Sequence, residues 1–139
     1  MNPIAQNEIE DRIFTIRGVQ VMLDSHLAEM YCIDTKTLNR AVKRNLVRFP
    51  QDFMFQLTDT EWDILRFQIG TLKNDETLRS QFVTLKENRG AHRKYLPFVF
   101  TEQGVAMLSA VLRSETAIKV SIQIMSAFVE MRRLTMGNA

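Results

Sequence analysis

From Ile13 to Leu23 (IFTIRGVQVML) apolar and polar positions alternate, as in a half-buried strand, and Arg17-Gly18 breaks the alternation where a glycine can take positive φ. The pattern predicts a short β-hairpin. The period then changes: Leu27, Ala28 and Tyr31 share one face of a short helix, with Asp24 offered as its N-cap, and Ile33 plugs a turn. Leu38, Ala41 and Val42 line the inner face of a second helix, capped by Asp34 or Thr35 and running to about Val47. Leu27 to Arg48 is thus predicted to be a helix-turn-helix. Phe49-Pro50 ends it, because the residue before a proline is biased out of the α region.

Phe53, Phe55 and Leu57 alternate with Met54 and Gln56, a short strand, and Thr58-Asp59-Thr60-Glu61 is a capping box. A helix is predicted from Glu61 to about Ile69, with Trp62, Leu65 and Ile69 on one side. From Gly70 to Lys94 the sequence is polar and weakly periodic only at Leu78 to Leu85, and a stretch of that kind is usually functional or mobile. Tyr95 to Phe100 (YLPFVF) returns as a strand that Pro97 should confine to an edge or a bulge. Thr101 caps a helix through Leu112, and Ser114 caps a longer one to about Leu134.

In that last segment Val120, Ile122 and Ile124 alternate like a strand. Helix is preferred, because Ile118, Ile122, Met125 and Val129 also fall on one helical stripe and the breaker-free span exceeds ordinary strand length. Ala117, Ile124, Phe128 and Met131 form a second line. A helix this apolar is either central, packed on the helix before it, or paired with another chain. The fold class expected is α+β: an N-terminal β-hairpin, a helix-turn-helix, a small antiparallel sheet and a C-terminal helical pair, in a single domain over residues 1–139 with its core at about 13–134.

Composition adds boundaries. A chain of 139 residues is sized for one domain, and 45% hydrophobic with 24% charged residues argues against wholesale disorder. The single cysteine, Cys32, excludes an internal disulfide and fits a reducing compartment. It is expected to be buried, and it stands in the turn where a helix-turn-helix usually has glycine. Either the turn avoids positive φ there or its geometry is a variant. No apolar run approaches the roughly 20 residues that span a bilayer, and MNPIAQNEIEDR lacks the basic start and apolar core of a signal peptide. A cytoplasmic protein with no membrane partner is expected.

The net charge of +2 hides an uneven distribution. Thr35 to Gln51 holds five basic residues and no acidic one, so the rest of the chain carries −3. A second basic cluster follows at Lys86, Arg89, Arg93 and Lys94, while acidic residues gather at Glu8, Glu10 and Asp11 and at Asp59, Glu61 and Asp63. Such polarity suits docking on a polyanion.

On the second helix of the pair, Thr35, Lys36, Thr37, Asn39, Arg40, Lys43 and Arg44 point outward, the residue set that a helix entering a DNA major groove needs. Asn pairs bidentately with adenine and Arg with guanine, so Lys36, Asn39, Arg40 and Lys43 are the candidate base readers. Arg44 and Arg48 sit later and suit phosphate contact. Asn39 can instead cap or bridge locally, and a basic amphipathic helix is often just a solvated face. Arg89, His92, Arg93 and Lys94 read either as an arm along the same groove or as a solvated loop. Enzyme chemistry finds little: two histidines and one cysteine make no ordinary zinc site, and no H-E-x-x-H, C-x-x-C pair, G-x-S-x-G or P-loop is present. Asp34-Thr35-Lys36 imitates a nuclease D-x-K fragment but opens a helix. No enzyme activity and no cofactor are expected.

The hairpin IFTIRGVQVML, the segment LAEMYCIDTKTLNRAVKRN, the strand RFPQDFMFQLT and the block YLPFVFTEQGVAMLSAVL, in that order, resemble the ORF6N domain, grouped with the KilA-N and Bro-N domains of phage antirepressors and large DNA viruses. The resemblance covers about Phe14 to Arg133. It implies a DNA-binding domain, and together with the residues above the expected function is non-catalytic binding of double-stranded DNA by a transcription regulator or antirepressor of phage or mobile-element type, with the 35–47 helix in the major groove. An antirepressor-like chain can also act by gripping a repressor protein or by forming a homodimer through its C-terminal helix, so protein binding is the alternative.

Overall fold

The computed structural model describes residues 5–73 and 95–137. The elements run α1 (Gln6–Glu10), β1 (Phe14–Ile16), β2 (Val19–Leu23), α2 (Asp24–Tyr31), α3 (Thr35–Arg44), a 3-10 turn (Leu46–Arg48), β3 (Met54–Gln56), α4 (Asp59–Lys73), β4 (Phe98–Phe100), α5 (Glu102–Leu112) and α6 (Glu115–Gly137). The architecture is α+β, with a four-stranded sheet ordered β1-β2-β4-β3 and a helical pair at the C-terminal end.

Two compact units are formed, Met1–Phe55 with Phe98–Ala139, and Gln56–Pro97. In the larger one the hairpin is antiparallel, with Ile16 opposite Val19. Its two loop residues, Arg17 and Gly18, both have positive φ (55° and 75°). That is the backbone of a type I′ turn, whose twist matches the flanking strands. β2 then pairs antiparallel with β4, Met22 opposite Phe100 and Leu23 opposite Val99.

Pro97 behaves differently from expectation: β4 is an interior strand, between β2 and β3, rather than an edge or a bulge. The strand begins at Phe98, one residue past the proline, so the missing N–H falls outside the ladder. Phe98 N–H is the first backbone donor after the proline, and it donates to Asp24 Oδ2.

The core of this unit gathers Ile9, Met22, Leu27, Tyr31, Leu38, Val42, Phe49, Phe100, Leu108, Ile124 and Phe128 from the sheet and five helices. Phe49, on the chain leaving the 3-10 turn, meets Phe100 edge to face at 6.0 Å. Thr101 caps α5 through the Gly104 N–H, and Ser114 caps α6 through the Ala117 N–H, as their positions predict. α1 has no counterpart in the sequence reading; five residues with Ile9 as the one buried side chain give too little periodicity to notice.

α6 is a helix, not a strand, and its two apolar lines part company. Ala117, Val120, Ile124, Ala127 and Phe128 are buried, whereas Ile118, Ile122 and Val129 are exposed. Packing against α5, α1 and α2 selects the first line.

In the smaller unit the capping box forms as predicted: Thr58 N–H donates to Glu61 Oε1 and Glu61 N–H to Thr58 Oγ1, at 2.9 and 3.1 Å. α4 starts at Asp59 and buries Leu65 and Ile69. Leu57 N–H donates to the Pro97 carbonyl. Among the described residues no helix is long and apolar enough to cross a membrane.

Candidate nucleic-acid interface

α2 and α3 are joined by a three-residue turn, Cys32 to Asp34, and its geometry answers the question posed by Cys32. The residue lies in the left-handed region (φ 62°, ψ 40°). Ile33 N–H reaches back to the Ala28 carbonyl and Cys32 N–H to the Glu29 carbonyl, at 3.0 and 3.1 Å. This is the Schellman pattern, usually built on glycine, with half-buried Ile33 packed against the core on the far side. The left-handed residue of such an end projects away from the helix, so Cys32 is exposed rather than buried as expected.

The second tie between the helices is polar, and a carboxylate makes it. Asp24 is not the N-cap of α2; Leu23 holds that position with extended backbone, and Asp24 is the first helical residue, 1% exposed. Its Oδ1 accepts the Ser25 N–H at 2.7 Å, and its Oδ2 accepts Asn39 Nδ2 at 3.0 Å and the Phe98 N–H at 3.3 Å. One buried carboxylate therefore links the start of α2, the middle of α3 and the first residue of β4. The N–H groups of Ser25, Asn39 and Phe98 replace water that the carboxylate has lost on burial.

Asn39 is consequently half-buried with its amide turned toward Asp24, which corrects its assignment as an outward base reader. Thr35 is also half-buried. Both lie on the flank of α3 that leads to its inner face, where Leu38 and Val42 are buried. The opposite face holds Lys36, Thr37, Arg40, Lys43 and Arg44, all exposed. At 100° per residue Arg40 falls at the centre of this face, with Lys36 and Lys43 on one side and Thr37 and Arg44 on the other.

α3 also ends earlier than expected, at Arg44 rather than Val47. Asn45 leaves helical geometry (φ −128°, ψ 34°) and its side-chain amide donates to the Ala41 carbonyl at 2.9 Å, closing the helix. Arg48 thus sits on the 3-10 turn, exposed, with Leu46 and Val47 also exposed before it. None of the ion pairs among the described residues involves Lys36, Arg40, Lys43, Arg44 or Arg48. Elsewhere in the same unit Arg12, Lys119, Arg132 and Arg133 each have a carboxylate partner. Five cations are gathered within one helix and the turn after it, without local neutralisation. Arg89, Arg93 and Lys94 lie outside the described residues.

The family model described as the ORF6N domain matches residues 11–111. The chain belongs to the ORF6N domain family. The match takes in the hairpin, the α2–α3 pair, the sheet and nearly all of α5, so the basic face of α3 is part of the ORF6N domain itself. No curated protein and no solved structure matches the chain.

The Asp24–Asn39 link was the feature least accessible from sequence. Asp24 and Asn39 are 15 residues apart, and Phe98 is 74 residues beyond Asp24. The available signal was the single acidic residue at the start of a helix and an Asn at an inner-flank position of the next. Among the described residues no group of three or more His, Cys, Asp or Glu is placed to hold a metal ion.

Proposed function

We propose that this ORF6N domain is a non-catalytic, double-stranded-DNA-binding regulator of phage or mobile-element type, with α3 in the major groove. The observation that carries the reading is the exposed face of α3: Lys36, Thr37, Arg40, Lys43 and Arg44 stand together on a helix fixed to α2 by a Schellman turn and to the sheet by Asp24. Groove recognition needs such a helix, rigid on its inner side and rich in donors on its outer one.

Roles follow from position. Arg40, at the centre of the face, points toward base edges and suits the bidentate pairing of guanidinium with guanine, with Lys36 and Thr37 beside it toward the helix start. Lys43, Arg44 and Arg48, later along the chain, meet phosphates and fix register. Asn39 orients α3 and touches no base. Family membership is consistent with this reading, and the uneven charge along the chain favours a polyanionic partner.

The test is selection of bound duplexes from a random pool, followed by the same selection with Arg40→Ala. An enriched consensus is expected, with the variant losing discrimination at one G·C position by about 1–3 kcal/mol while still binding. An unenriched pool, or an identical consensus with Arg40→Ala, contradicts the assignment.

A further inference from the structure

An exposed apolar stripe on α6 is left without a use by the DNA reading. Ile118 is 49% exposed, Ile122 60% and Val129 40%, and Met125 between them is half-buried. Their spacing is four, three, four. That is the a/d spacing of a coiled-coil seam, and it reads the same in both directions along the helix.

We propose that this stripe is the interface with a second copy of the same chain, the two α6 helices packed antiparallel about a two-fold axis that passes between Ile122 and Met125. The palindromic spacing places Ile118 against Val129 of the second copy and Ile122 against its Met125, knobs meeting holes along the whole stripe. Charge complementarity argues for this occupant over an unrelated partner. Glu115 and Lys119 flank the stripe near its start, Glu130 and Arg133 near its end, on the same side. Within one chain they pair as Lys119–Glu115 at 3.4 Å and Arg133–Glu130 at 3.8 Å, all well exposed apart from Glu130. The two-fold brings Lys119 beside the second copy's Glu130 and Glu115 beside its Arg133, so every charge meets its opposite and two weak local pairs join into networks of four. In a parallel pairing the two-fold runs along the helices and carries this flank to opposite sides of the seam, so none of these cross-chain pairs forms. The interface rests on the exposure and sequence of α6, not on the DNA reading, and either can fail alone.

The test uses the full chain in a Cys32→Ser background, which removes the exposed native thiol. Sedimentation equilibrium should show a mass rising to twice 16.2 kDa across the micromolar range, and Ile122→Glu should return the monomer mass with an unchanged circular dichroism spectrum. Orientation is read from disulfides. Ile118→Cys and Val129→Cys proteins, oxidised separately, should stay unlinked, because each residue lies about 16 Å along the axis from its own copy at 1.5 Å per residue, beyond the roughly 7 Å a disulfide allows between Cα atoms. Mixed, they should give a linked dimer. A monomer mass at every concentration overturns the interface, and self-linking of either variant as fast as the mixture overturns the antiparallel arrangement.

Discussion

Replacing Asn39 separates a positioning role from a reading role, because the structure gives the two different signatures. Asn39→Ala removes one donor from the buried Asp24 carboxylate and leaves the Ser25 and Phe98 N–H groups in place. A hydrogen bond to a charged group contributes about 1.5–3 kcal/mol. Because Asn39 is half-buried and Asp24 keeps the Ser25 and Phe98 N–H groups among its partners, the cost should sit near the lower end, about 2 kcal/mol. With a urea m-value of about 1–3 kcal/mol/M, the unfolding midpoint should fall by about 1 M. Asn39→Asp should cost more, about 3 kcal/mol or above, since it sets a second carboxylate against a buried one in place of a donor. Affinity of the folded Asn39→Ala protein for its selected duplex should keep its sequence preference. An unchanged urea midpoint together with lost discrimination at an A·T position would show that Asn39 reads DNA, and would refute the role given to Asp24.

Three further substitutions test the frame that holds the interface. Tyr31 is buried with its hydroxyl 2.7 Å from Ser121 Oγ, and burial pushes its pKa up to about 12, the Ser121 hydrogen bond opposing in part. The folded state therefore holds the phenol proton more tightly than the unfolded one, and its contribution of about 2–3 kcal/mol is complete below pH 10 and lost as pH rises to about 12. The difference in stability between wild type and Tyr31→Phe should shrink across that window, whereas curves that stay parallel would exclude the linkage. Gly104→Ala would drive a Cβ into the Phe53 carbonyl, which also accepts the Thr101 N–H, so a loss of about 3 kcal/mol or more is expected by urea unfolding. Gly18→Ala, at φ 75° with open space around it, should lose only about 1 kcal/mol, and equal losses would contradict the close approach.

Local signals carried much of this structure. The hairpin, the capping box at Thr58, the caps at Thr101 and Ser114 and the α2–α3 pair all arise from residues a few positions apart, where propensity and periodicity act directly. What escaped was set by tertiary partners. Pro97 suggested an edge strand, but the strand starts after it and is interior. Cys32 adopts a left-handed backbone because Ala28 and Glu29 carbonyls need donors and Ile33 must reach the core. Both apolar lines of α6 were visible, yet the choice of which one faces inward belongs to α5, α1 and α2. Lys36, Thr37, Arg40, Lys43 and Arg44 face outward as helical spacing requires, while Asn39 was diverted by a carboxylate 15 residues away.

The reading of α3 as a DNA-binding helix is tested most directly by equilibrium binding to duplex DNA across a salt series, with wild type and with Lys43→Ala combined with Arg44→Ala. The three phosphate contacts of Lys43, Arg44 and Arg48 predict that log affinity falls with log salt at a slope of about −3, and the double variant should flatten it by about two units. No binding at low salt, or the same slope for both proteins, would contradict it.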